Sequence, residues 1–586
     1  MNVAMNVARL NADYCATLVD EWVHQGLRHA VVAPGSRSAP LALALARDGR
    51  VALDVVLDER SAAFLALGIG RATGRPALVL CTSGTAATHF HAAVLEARYG
   101  AVPLLVVTAD RPPELHGIGA PQTIEQHALY GDELNWSCDP GPPEPGAHAS
   151  WRETAARAYG ECHAVRPGPV HLNLAFREPL VGARGAVQGT PGAPLLARER
   201  EADTATVERI TTLVEHHERG VIVAGWGAGV PAATLEALAV ATGWPVLADA
   251  ISNGRAAEHA VRRYEALVRV PELAAALRPD AVLRFGAALT SKVTTQWLAD
   301  VAVHVVVDPH ELGIDPTGSA TDTVVADPEQ FARALSTSLQ SSLDGQRARG
   351  TTPWSTQWLE SDRRADVAID GVLDALTQAS GPQVARDVAG ALPSGAQLVV
   401  ASSMPVRDLE WFAGPLAGVM VHANRGVNGI DGTIATATGI AIGTGAPTVA
   451  VMGDLAFLHD AGSLLGLADR NVDLTIVVVD NRGGGIFSFL AQHDDSPEAE
   501  FEQLFGTPQS VDALELARAY GLDGRRVGAV ELGQSLGRNG TRVLVVPVLD
   551  RDADVVHHRD VWAAVAAAVL SDGRGAAAPT SAAART

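Results

Sequence analysis

Two strand ends in this chain carry residue types that could hold a metal and a phosphate. Gly453-Asp454 closes the aliphatic run PTVAVMGD, and Asp480-Asn481 closes the next, DLTIVVVDNRGGG. A carboxylate from Asp454, an amide oxygen from Asn481 and a backbone carbonyl at Gly483 make a hard-oxygen set that suits Mg²⁺, which typically keeps water and substrate phosphate as its other ligands. Glycines in series let a backbone approach something bound, and glycine amides and nearby helix N-termini suit phosphate, so a metal and a diphosphate are expected here.

Glu59, in VVLDERSAAF, stands where a run expected to be a buried strand meets a helix, flanked by residues that would desolvate it. A shielded carboxyl keeps its proton more readily, although an isolated glutamate at this place also reads as a helix start favoured by the dipole. Five cations, Arg37, Arg111, Lys292, Arg407 and Arg425, fall in loops after strands. Arginine binds carboxylates through two parallel hydrogen bonds, so the set could form an island of positive charge, while any one alone reads as a solvated surface group.

These residues need a scaffold that brings strand ends together. Residues 10–26 place Cys15, Leu18, Val19, Trp22 and Val23 at helical spacing, and short aliphatic runs at 51–57, 77–81 and 103–108 then alternate with small-residue helices. A second alternating block opens with VIVAGWGAG and has strands near 281–286 and 303–307. A third contains QLVVASS, GVMVHAN, PTVAVMGD, DLTIVVVD and TRVLVVPV, with a helix of LLGLADR type between Asp454 and Asn481. Such alternation predicts an α/β fold of three doubly wound parallel-sheet domains, over 1–185, 200–345 and 380–570. Stretches at 183–200 and 336–356 read as linkers, and residues 571–586 as a disordered tail. The first and third blocks look like copies of one architecture, and the polar sequences lie where such sheets bind ligands, beyond the strands' carboxyl ends.

The 586 residues, 47% hydrophobic and 19% charged, fit about three packed domains. A net charge of −21 argues against nucleic acid or an anionic membrane as partner. Four cysteines form no CxxC pair, no membrane-length apolar run occurs and the N-terminus lacks a leader pattern, so a cytoplasmic protein is expected. Cys81 reads as packing.

The GD…N arrangement resembles the signature of thiamine diphosphate enzymes, with Asp480-Asn481 where NN is common. More specifically, PGSRSAPL, DERSAAF, TADRPPEL, RFGAALTSK, NRGVNGIDG and DNRGGGIFSF resemble, in order, the blocks of the 2-succinyl-5-enolpyruvyl-6-hydroxy-3-cyclohexene-1-carboxylate synthase family of menaquinone biosynthesis. The resemblance implies a transferase that decarboxylates 2-oxoglutarate on thiamine diphosphate, with Mg²⁺ or Mn²⁺, and adds the succinyl carbanion equivalent to isochorismate. It implies that the three blocks are a pyrimidine-binding, a central and a diphosphate-binding domain. It makes Glu59 the residue that protonates the aminopyrimidine, and sets Gly453, Asp454, Leu455, Asn481, Gly483, Ile430 and Ile486 around the cofactor. Ser36, Arg37, Arg111, Gln122 and Lys292 are assigned to isochorismate, Ser403, Arg407 and Arg425 to the donor carboxylate, and Phe487 and Leu490 to the substrate wall. Val293 replaces an arginine found in some relatives. Sites of this type form between subunits, so a homodimer at least, and a homotetramer by extension, is implied. Other readings are a sibling 2-oxoacid decarboxylase or acetohydroxyacid-type synthase, a non-catalytic relative, and an NAD or flavin oxidoreductase if GWGAG cradles a dinucleotide.

Overall fold

The computed structural model describes residues 2–194, 200–342, 349–536 and 539–571. Its strands group into three six-stranded sheets in which every pair is parallel. The first holds β1 (His29–Val32), β2 (Ala52–Val55), β3 (Ala77–Cys81), β4 (Leu104–Asp110), β5 (Trp136–Cys138) and β6 (Pro169–Ala175). The central sheet holds β7 (Gly220–Ala224), β8 (Val246–Ala248), β9 (Ala260–Val261), β10 (Ala281–Phe285), β11 (Val303–Val307) and β12 (Asp322–Val324). The third holds β13 (Gln397–Val400), β14 (Met420–His422), β15 (Thr448–Gly453), β16 (Leu474–Asp480), β17 (Asp523–Arg526) and β18 (Arg542–Pro547). Helices cover both faces, which is why β3, β4 and β7 are buried along their whole length and lack polar alternation.

The first sheet runs β2-β1-β3-β4-β6-β5 and the third β14-β13-β15-β16-β18-β17, the same order position by position. The central sheet runs β12-β11-β10-β7-β8-β9 and reverses between β10 and β7. That switch point is where a dinucleotide would sit, but the loop after β7 is pressed onto the loop after β10. The Ala287 amide donates to the Trp226 carbonyl at 2.9 Å, and a side chain at Gly225 would collide with the Ala287 carbonyl. GWGAG is a loop-to-loop packing motif here.

The first and third domains meet through equivalent helices, Glu59–Thr73 and Thr433–Thr444. Gly68 lies against the Thr436 carbonyl and Gly439 against that of Leu65, so neither helix has room for a β-carbon at the crossing.

Four expectations change. Residues 183–194 form a strap on the first helix, Asn2–Gln25: the Ala186 amide donates to Asp13 at 2.6 Å and the Gln188 amide to the Thr17 hydroxyl at 3.1 Å. The described residues of the 336–356 stretch are mostly helical, with Pro328–Ser342 running into it and Pro353–Asp374 beginning inside it behind a Thr352 capping box. The LLGLADR segment is no helix, because Gly466 at φ 72° stops the chain after a short 3₁₀ turn at Ala461–Leu464. Lastly, β2 is an edge strand and is only half-buried. The predicted tail, from 572 on, lies outside the described residues.

Candidate active site

A cavity of about 400 Å³ opens at the carboxyl end of the third sheet. It gathers twelve of the residues singled out from sequence: Ser403, Arg407, Arg425, Ile430, Gly453, Asp454, Leu455, Asn481, Gly483, Ile486, Phe487 and Leu490. The parallel register pairs Gly453 with Val479, so the chain leaves both strands at the same level, and Asp454 and Asn481 arrive on one wall. Burial pushes the Asp454 carboxyl up to about 7; the Leu455 amide opposes this, the nearby Asp480 adds to it and the Gly483 amide opposes it. The Asn481 Oδ1 atom is buried and accepts no hydrogen bond. An orphaned buried acceptor costs about 1–3 kcal/mol, and this one stands beside a buried carboxylate. The donor set fits a hard divalent ion.

The glycine run has a different cause from the one expected. A side chain at Gly483 or Gly484 would strike the carbonyls of Gly506 or Phe505, and one at Gly485 would strike the Asn481 amide. The Gly484 amide donates to the Gly506 carbonyl at 2.8 Å and the Gly485 amide to the Gly483 carbonyl at 2.9 Å. Those two amides are occupied within the protein, so they are not the phosphate donors that the sequence suggested. The run lets the 502–506 segment lie on the loop and hold Asn481 in place. Ser402, Met404 and Asn428, which sequence reasoning missed, also line the cavity. Ser403 and Asn428 both sit at positive φ, 74° and 60°, a backbone strain that non-glycine residues seldom carry.

Positive charge is concentrated on the same wall. Arg407 donates to the Ser403 carbonyl at 2.6 Å. Burial lowers its pKa and the neighbouring Arg425 lowers it further. Arg425 is also lowered by burial, with Asp249, Glu96 and Glu410 acting against the shift. Two adjacent guanidiniums in a part-buried wall favour an anionic ligand.

Lys292, at the start of the Lys292–Leu298 helix, lines a second cavity together with Val293 and Arg407. Within one chain it therefore joins the Arg407 side of the site. The first-domain residues Ser36, Arg37, Glu59, Arg111 and Gln122 line neither cavity. Arg37 is buried and donates to the Phe176 carbonyl at 2.9 Å and to Glu178 at 3.0 Å; burial lowers its pKa, and the nearby Arg111 adds to the fall. Arg111 has a buried Nε without a partner, whereas Ser36 and Gln122 are exposed. Glu59 opens its helix behind the Asp58 cap and is half-buried, less shielded than expected because β2 is at the sheet edge.

Family models described as thiamine pyrophosphate enzyme N-terminal TPP binding domain, middle domain and C-terminal TPP binding domain match residues 13–129, 192–400 and 414–539. The chain is 43% identical over 563 residues to a 2-succinyl-5-enolpyruvyl-6-hydroxy-3-cyclohexene-1-carboxylate synthase of Thermobifida fusca, covering 94% of this chain and 98% of the relative. Synthases of the same name from Myxococcus xanthus and Chloroflexus aurantiacus are 40% and 38% identical, over 96% and 98% of this chain and 98% and 99% of theirs.

Proposed function

Because the chain belongs to the 2-succinyl-5-enolpyruvyl-6-hydroxy-3-cyclohexene-1-carboxylate synthase family of thiamine diphosphate enzymes, we propose that it condenses 2-oxoglutarate with isochorismate, with loss of CO2, in menaquinone biosynthesis. The observation that carries this reading is the third-sheet cavity, where Asp454 and the unpartnered Asn481 oxygen face a wall holding Arg407 and Arg425. Asp454, Asn481 and the Gly483 carbonyl would hold Mg²⁺ or Mn²⁺, whose charge would favour the ionised Asp454 against the burial that raises its pKa. Thiamine diphosphate, when bound, would supply the electron sink that decarboxylation of the donor requires.

The protein's own work is binding, orientation and control of protons and water. Ser403, Arg407 and Arg425 hold the donor's distal carboxylate, and Ile430 would pack against the cofactor. Ile486, Phe487 and Leu490 keep water away from the reacting carbon, which protects it from premature protonation. Glu59 holds the proton at the aminopyrimidine ring nitrogen, and Ser36, Arg37, Arg111 and Gln122 bind isochorismate, to which Lys292 also contributes. Since the first-domain residues line no part of the cavity in their own chain, a second copy brings them to it. The working unit is then a homodimer at least, and a homotetramer by pairing of dimers. Among the described residues no helix is long and apolar enough to cross a membrane, and we place the enzyme in the cytoplasm.

Incubation of the purified chain with thiamine diphosphate, Mg²⁺, 2-oxoglutarate and isochorismate, followed by mass spectrometry, tests the reading. One equivalent of CO2 per condensed product is expected. CO2 release with no condensed product would make the chain a decarboxylase.

A further inference from the structure

The synthase reading leaves one cation unused. The second cavity, of about 450 Å³, shares Met404, Arg407, Ile486 and Leu490 with the first but borders neither Asp454 nor Asn481. Lys292 and Val293 form part of one side, and the Arg551–Leu570 helix contributes His558, Arg559 and Trp562. This helix is seated by ring packing. Trp562 stacks on Phe412 at 5.7 Å, and His558 meets Phe489 edge-on at 4.9 Å while its Nε2 lies 3.2 Å from Asp408. Arg559 is thus set by the loop and helix that also wall the cofactor cavity.

The two carboxylates facing this cavity are already engaged, Glu265 with Arg269 at 2.7 Å and Asp494 with His493 at 3.2 Å. Among the described residues, the side chains of Lys292 and Arg559 have neither a hydrogen bond nor an ion pair, and the Arg407 side chain bonds only the Ser403 carbonyl. In a chain of net charge −21, three cations without a carboxylate partner on one cavity make an anion site.

We propose that Arg559 is a specificity residue that acts with Lys292 to bind a carboxylate of the acceptor in this second cavity. The first cavity holds the metal- and diphosphate-type residues Asp454 and Asn481 together with Arg425, none of which borders the second, so the second is left to the molecule that arrives next. An acceptor with two carboxylates on a ring needs separated cations with an apolar surface between them, and Val293 supplies apolar surface beside Lys292.

The test rests on the holoenzyme with thiamine diphosphate and Mg²⁺. Arg559→Ala should raise KM for isochorismate about tenfold, while KM for 2-oxoglutarate and CO2 release from the donor alone stay within about twofold. Arg559→Lys should recover much of the loss, and adding Lys292→Ala to Arg559→Ala should cost less than the two single losses combined. Calorimetric binding of isochorismate without donor should weaken by the same factor. An isochorismate KM and affinity within twofold of wild type, an equal rise in both KM values, or a fall in Tm alone would overturn the proposal. If wild type binds isochorismate and Arg559→Ala does not, yet wild type forms no condensed product, the synthase reading fails and the binding assignment stands.

Discussion

The first and third sheets share one strand order, yet their carboxyl ends are chemical opposites. In the last residues of β4 and β6 one set of polar side chains is closed on itself: Asn173 donates to Asp110 at 2.8 Å and to Asp139 at 2.9 Å, and its own oxygen accepts from Gln126 at 2.9 Å and from Thr108 at 2.8 Å. Beyond β15 and β16 the Asn481 oxygen is buried and unmet, and it borders a cavity. A satisfied buried network rigidifies, whereas an unsatisfied one stores a cost that a ligand can relieve. Topology is therefore common to the two copies, and hydrogen-bond accounting separates the copy that binds from the copy that presents.

The widest separation between them should appear when each loses its central carboxylate. Asp454→Ala is expected to abolish turnover together with calorimetric binding of Mg²⁺ and thiamine diphosphate. Glu59→Gln should lower turnover by roughly 10²–10⁴-fold, the usual weight of a general acid, with both binding constants nearly unchanged. Equal loss of cofactor binding in the two variants would erase the distinction. The two lesions should also complement each other. In a purified mixed dimer of Glu59→Gln and Asp454→Ala chains, one of two shared sites is wild type, so about half the wild-type rate is expected. An inactive mixed dimer would mean that the two copies do not meet across a subunit boundary.

Much of this contrast was legible in the residues. The aliphatic runs of β3, β11 and β16 are buried on both faces and carry their own signature, and a carboxylate or amide directly after such a run must lie at the sheet's carboxyl end. Hence twelve of the named residues meet in one cavity. What was not legible depends on contacts far apart in sequence. Nothing near Gly483 announces that Phe505 and Gly506 press on it, and nothing in ARGAVQGTPG shows that its amides are taken by Asp13 and Thr17. The half-exposure of Glu59 follows from β2 being at an edge, a matter of strand order that local pattern does not encode.

A smaller effect should distinguish the arginines of the two copies. Arg37→Ala should still release CO2 slowly from 2-oxoglutarate but fail to form the condensed product, while Arg407→Ala should impair the donor step itself. Each lost charge-assisted contact is worth about 1.5–3 kcal/mol, or about tenfold or more in kcat/KM. Single-turnover consumption of donor, followed separately from product release, tells them apart. Equal losses in both steps for both variants would mean that the arginines form one shared field.

The smallest effect lies at the seam between the copies. Asp460 accepts from the Ile434 and Ala435 amides at 2.7 and 3.2 Å, at the start of the third-domain helix, and lies 3.6 Å from Arg60 of the first domain. Burial pushes its carboxyl up to about 6, against the opposing pull of Ser463, those amides and Arg60. A folded-state value above the ordinary carboxylate value of about 3.9 means that the native chain holds this proton more tightly than the unfolded one. The associated stability is present in full below pH of about 4 and is lost as pH rises through about 6. Asp460→Asn carries no such proton, so its Tm should fall less than that of wild type across this window. Parallel Tm profiles would mean that Asp460 is ionised throughout, with the helix amides and Arg60 outweighing burial; the seam would then be held by an ion pair and not by a protonated acid.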